Sequence, residues 1–99
     1  MGPKTPPKNL KPESRKIWLR LNREFEFPYE TLVLLKTALE AYDRMNAARE
    51  QIDQEGTVIM TPTGFKKPHP ALKIEKEARA GFLQSWRALN LDIEGPQGD

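Results

Sequence analysis

Residues 56–75 read GTVIMTPTGFKKPHPALKIE. The stretch lies between two segments of helical periodicity. It opens on Gly56, runs through the β-branched and apolar Val58-Ile59-Met60, turns at Pro62-Thr63-Gly64, and restarts a helix after His69-Pro70. A chain of 99 residues spends about a fifth of itself here, long for a plain connector between helices. A proline-glycine turn between two short runs predicts a two-stranded β-hairpin from about Val58 to Lys67.

The segment upstream of it predicts a long helix from about Pro28 to Glu55. Leu32, Leu35, Leu39, Tyr42, Met45, Arg49 and Ile52 recur three and four residues apart, flanked by Ala38, Ala41 and Ala48. This is a narrow seam of the coiled-coil type, interrupted at Arg49. Pro28 suits a first helical position, Glu30 complements the dipole, and Gly56 offers the left-handed residue that ends the helix. Downstream, a third helix is expected from His69-Pro70 to about Asn90. Its apolar face is Leu72, Ile74, Ala78, Phe82, Trp86 and Leu89, with Gly81 weakening the middle by about 1 kcal/mol relative to alanine. A first helix is expected from about Pro12 to Phe25, with Ile17, Leu21 and Phe25 four apart and Trp18 beside them. Residues 1–12, MGPKTPPKNLKP, hold four of the nine prolines and predict an extended, mobile basic arm. The domain itself is expected over residues 13–91, with a flexible tail over 92–99.

Hydrophobic residues make up 37% and charged residues 30%, so the core is thin and the chain is one domain. Helical faces on so small a core gain further burial in a partner or in copies of the same chain. No apolar run reaches the length of a membrane span, which predicts a cytosolic protein. With no cysteine, disulfides, thiolate zinc sites and cysteine nucleophiles are excluded. The net charge of +2 hides three blocks: +6 over residues 1–23, −5 over 24–56 and +1 over 57–99.

His69 is the only histidine, so a nucleophile–base pair or a histidine-rich metal site has no second member. Its simplest role is to start a helix together with Pro70. Gly64 stands outside any glycine-rich phosphate loop, and Asp53/Glu55 and Glu75/Glu77 are spaced to face different sides of a helix. No catalytic residue, metal ligand or cofactor is therefore expected. The basic residues carry more meaning. Lys4, Lys8, Lys11, Arg15, Lys16, Arg20 and Arg23 suit a nucleic-acid phosphate backbone, and Lys66 and Lys67 at the tip of the connector are a weaker candidate for the same contact. The competing reading is a solvated, solubilising tail. Arg44, Arg49 and Glu40 read as a solvated face or i,i+4 pairs. Trp18 and Trp86 read as core or interface anchors, and together with Leu35, Leu39, Tyr42, Met45, Phe65 and Phe82 they are expected to bury area between copies.

The order of these features resembles a known family. A tryptophan-bearing helix (ESRKIWLRL) leads to LLKTALEAYDRMNAAREQI. Then follow G-x-x-x-x-T-P-x-G-x-x-x-x-H-P-A-L-x-I-E-x-x-A-R and a third helix closing on Trp86-Arg87-Ala88-Leu89-Asn90-Leu91. Over roughly residues 10–92 this resembles the small terminase subunit of tailed bacteriophages, in the family encoded beside an HNH endonuclease and a portal protein. The matched positions Trp18, Leu35, Ala38, Gly56, Pro62, Gly64, His69, Pro70, Ala71, Leu72, Glu75 and Leu91 look architectural in that family. The resemblance implies an all-α, non-enzymatic packaging factor with a hairpin between helices two and three. It further implies a homo-oligomeric ring that binds double-stranded viral DNA, delivers it to the large terminase subunit and modulates that subunit's ATPase and nuclease. The HNH endonuclease and portal are further partners, in the host cytoplasm during phage assembly. A helix-turn-helix DNA-binding domain, present in other small terminases, is not readable here, so the expectation is backbone contact rather than sequence readout. The alternative is a protein-only oligomeric adaptor that holds the large terminase or the nuclease and never touches DNA.

Overall fold

A computed structural model describes residues 5–91; residues 1–4, Lys4 among them, and the tail 92–99 lie outside the described residues. Three helices and one β-ribbon follow in chain order: α1 (Pro12–Glu24), α2 (Tyr29–Glu55), β1 (Val58–Met60), β2 (Lys66–Pro68) and α3 (Ala71–Leu89). The expected all-α architecture with a hairpin between the second and third helices is the observed one.

Each boundary has a local cause. Pro12 occupies the first turn of α1, where its missing N–H is not needed. Pro28 stands one position before α2, and its carbonyl accepts from the amides of Thr31 and Leu32 at 3.0 and 3.1 Å. Gly56 ends α2 at φ +87°, with its amide donating to the Ile52 carbonyl at 2.6 Å. Its ψ of 169° makes this an extended positive-φ turn rather than the expected left-handed helical cap. Asn90, at φ 53° and ψ 46°, is the left-handed cap of α3, a conformation asparagine tolerates better than most residues.

α2 and α3 form an antiparallel pair. The contacts Glu55–His69, Arg49–Glu75 and Tyr42–Phe82 match each step back along α2 with a step forward along α3. Leu35, Ala38 and Leu39 are fully buried, and Ala41, Met45 and Ala48 continue the buried stripe. The alanines on that stripe let a neighbouring backbone approach closely. α1 and the segment before it cover the first half of α2, where Leu10, Trp18, Leu21, Leu32, Leu35, Ala38, Leu39 and Leu89 make one core. Ile17, Phe25, Phe27, Phe82, Trp86 and Leu91 close it from the sides.

The segment before α1 differs from the mobile arm expected. Leu10 is 4% exposed and part of the core. Asn9 donates to Glu40 Oε2 at 2.8 Å, and the Lys11 amide donates to Asp43 Oδ2 at 2.9 Å. A buried leucine and two acceptors on α2 outweigh the extending effect of the prolines.

The hairpin is antiparallel, with Val58, Ile59 and Met60 opposite Pro68, Lys67 and Lys66. Thr61 to Gly64 make the turn. The Gly64 amide donates to the Thr61 carbonyl at 2.9 Å, with Pro62 at the position its fixed φ favours. Gly64 then takes φ +92°, and Thr61 holds Phe65 twice: its amide to the Phe65 carbonyl at 2.7 Å and its Oγ1 to the Phe65 amide at 3.0 Å. Pro68 leaves β2 without one donor, which blunts the ribbon against further strand pairing.

Candidate nucleic-acid interface

α1 starts against the middle of α2. Its first turn lacks a side-chain cap of its own, and Asp43 of α2 replaces one. One carboxylate oxygen accepts the Lys11 amide, and the other accepts the buried Ser14 hydroxyl at 2.6 Å. An anion at a helix N-terminus is doubly placed, by hydrogen bonding and by the dipole. Beside it, the Tyr42 hydroxyl donates to Glu13 Oε2 at 3.0 Å. Burial, and then that carboxylate, raise the pKa of the Tyr42 phenol and keep it neutral.

This anchoring decides which face of α1 meets solvent. Trp18, Leu21 and Asn22 point inward, and Asn22 donates back to the Trp18 carbonyl at 3.0 Å. Lys16, Arg20 and Arg23, four and three residues apart, therefore share the outer face, with Leu19 exposed among them. The three cations lie along about 10 Å of helix. Arg20 is paired with Glu24 at 3.3 Å, an exposed i,i+4 contact that competing phosphates can displace.

The other basic residues are distributed differently. Lys8 and Lys11 are exposed at the start of α1. Arg15 is half-buried, and its guanidinium donates to the Pro7 carbonyl at 3.1 Å and the Lys8 carbonyl at 3.4 Å. It fastens the chain before α1 rather than facing outward. Lys66 and Lys67 are neighbours on β2, so their side chains leave opposite faces of the ribbon. The ribbon follows the far end of α2, so these two lysines stand apart from the α1 stripe.

The residues expected at an interface between copies also divide. Trp18, Leu35, Leu39 and Met45 are covered by the chain's own side chains. Tyr42, Phe82 and Trp86 form a half-buried aromatic chain, with centroids 5.2 and 5.4 Å apart. Phe65 is 71% exposed.

Two polar clusters have no signature in the sequence pattern. His69 is buried: its Nδ1 accepts the Ala71 amide at 2.9 Å, and its Nε2 meets Glu55 Oε1 at 2.6 Å. Glu75 takes Arg49 from α2 at 2.8 Å and Arg79 from its own helix at 3.0 Å. Arg49, which reads in the sequence as part of a solvated face, thus ties the two long helices together. The Arg49 and Arg79 guanidiniums hold the Glu75 carboxyl below its ordinary pKa, and the His69 hydrogen bond does the same for Glu55.

Among the described residues, no group of three or more metal-ligating side chains comes together. No described helix is long and apolar enough to cross a membrane. The fold is a small three-helix scaffold with basic side chains along the outer face of α1. A family model described as phage terminase, small subunit, matches residues 11–95, and the chain belongs to that family. No curated protein and no solved structure matches the chain. Membership gives the chain a role in phage DNA packaging.

Proposed function

We propose that this chain is the non-catalytic, DNA-contacting subunit of the packaging machine, and that the outer face of α1 is its DNA surface. The observation that carries the reading is the stripe Lys16, Arg20 and Arg23, turned to solvent because Trp18 and Leu21 are buried behind it. A duplex presents a charge about every 1.7 Å along its axis, so a short basic stripe meets several phosphates. Such contacts position the protein without reading bases. Lys8 and Lys11 extend the positive surface at the head of the helix.

One stripe of three cations binds weakly. Several copies in a ring present many stripes to one duplex and convert weak contacts into avidity. The assembled ring delivers viral DNA to the large terminase subunit in the host cytoplasm and modulates its ATPase and nuclease. The HNH endonuclease and portal are further partners of the same complex.

A mobility-shift series with duplex DNA at rising salt tests this reading. The expected result is binding at low salt that weakens when Lys16, Arg20 and Arg23 are neutralised together. Absence of binding at low salt favours a protein-only adaptor and overturns the DNA reading.

A further inference from the structure

We propose that the β-ribbon of one copy plugs into a groove at the opposite end of a second copy, giving a head-to-tail contact. The proposal rests on the oligomeric part of the function above and names the two surfaces that make it.

The plug is Phe65, on a ribbon that also bares Met60 and Val58 on its other face. They are 71%, 61% and 51% exposed, a concentration of bare apolar side chains unusual on so small a unit. Phe65 is not on a loose loop. Thr61 binds both its carbonyl and its amide, so the ring is held out from a built turn and little freedom remains to be given up on docking.

The socket is a groove of about 180 Å³ lined by Pro7, Trp18, Tyr29, Leu32 and Val33, with Lys36 at its rim. Tyr29 and Val33 on its lip are 74% and 48% exposed. Its size suits one large apolar side chain, the arrangement in which a central anchor dominates an interface.

Charge points the same way. Residues 56–68 carry Lys66 and Lys67 and no acid, whereas residues 24–30 carry Glu24, Glu26 and Glu30 and no base. Lys36 at the rim is engaged by Glu40 at 3.8 Å, and Glu24 by Arg20.

Geometry excludes an internal contact. The groove belongs to the first turns of α2 and the ribbon follows its last, about 40 Å away along a 27-residue helix. A plug and socket at opposite ends of one rigid helix can only be joined by another copy. Repeated, such a heterologous contact closes into a ring when the rotation allows.

A mixing experiment tests the contact, using Phe65→Asp to break the plug and Val33→Asp to break the socket, with helicity checked by circular dichroism. The wild-type chain is expected to form a discrete oligomer by native mass spectrometry. Each variant alone is expected to be monomeric, its self-association weakened about thirtyfold or more, as removal of a central anchor implies. Mixed one to one, the two variants are expected to form a dimer of one of each and nothing larger, because one good plug meets one good socket. A second pair, Lys66→Glu alone and then with Glu30→Lys, is expected to lose and regain assembly. A wild-type oligomer that neither aspartate disturbs, or variants that stay monomeric on mixing, overturns this contact and leaves the ring reading standing. A monomeric wild-type chain at micromolar concentration overturns the ring reading itself.

Discussion

His69 sits where α2, the ribbon and α3 meet, and both of its ring nitrogens are used. Because Nδ1 accepts the Ala71 amide, the neutral ring carries its proton on Nε2 and donates it to Glu55. Replacing His69 by alanine leaves the buried Ala71 amide without its acceptor, at a cost of about 1–3 kcal/mol. Asparagine, whose shorter side chain carries an acceptor for an amide two residues on, is expected to recover part of that loss but not the Glu55 hydrogen bond. Chemical denaturation of the two variants should rank alanine below asparagine, and equal stability would refute the capping role. Glu75 and Glu55 both have depressed folded pKa values. Their contribution is therefore fully present above the unfolded carboxyl value near 4.3 and disappears as pH falls through the lower folded one. Denaturation between about pH 3 and 5 should show Glu75→Gln with a shallower fall in stability than the wild type. An identical slope would mean that the Arg49–Glu75–Arg79 cluster contributes nothing to folding.

At the scale of the element, periodicity and turn chemistry are local, and the helices and ribbon are legible for that reason. The leucine spacing of α2, the proline at or just before the start of each helix and the Pro-x-Gly turn sit at or within two residues of the observed boundaries. What joins the elements is not legible. Asp43, Glu40, Arg49 and Glu75 look on paper like any solvated charge; their roles depend on which element crosses above them. The same limit explains why the sequence groups Arg15 with outward-facing cations and makes the segment before α1 look mobile. Glycine makes a sharper case. A Cβ added at either Gly64 or Gly81 meets nothing within 4 Å, yet the two substitutions should have opposite signs. Gly64→Ala forces a side chain into φ +92° and should destabilise by about 1–2 kcal/mol. Gly81→Ala lies inside α3 and should stabilise by about 0.5–1 kcal/mol. Thermal unfolding of the two variants decides, and a shift in the same direction for both would contradict the backbone argument.

At the scale of the whole molecule, the chain is elongated, 55 × 38 × 20 Å, with a radius of gyration of 16.9 Å. A compact domain of this length has about 13 Å. In this shape the ribbon stands at one end of the long helix α2 and α1 lies along the other half. The proposed division of labour follows: the ends of α2 for copies of the chain, and the outer face of α1 for DNA. The most direct test of that claim is the salt dependence of duplex binding, measured by fluorescence anisotropy for the wild type and for Lys16, Arg20 and Arg23 each changed to glutamine. Removing an outward cation that neutralises a phosphate should flatten the slope of log affinity against log salt by about one unit. Unchanged slopes in all three variants, or binding that does not depend on salt, would contradict the assignment of α1 as the DNA surface.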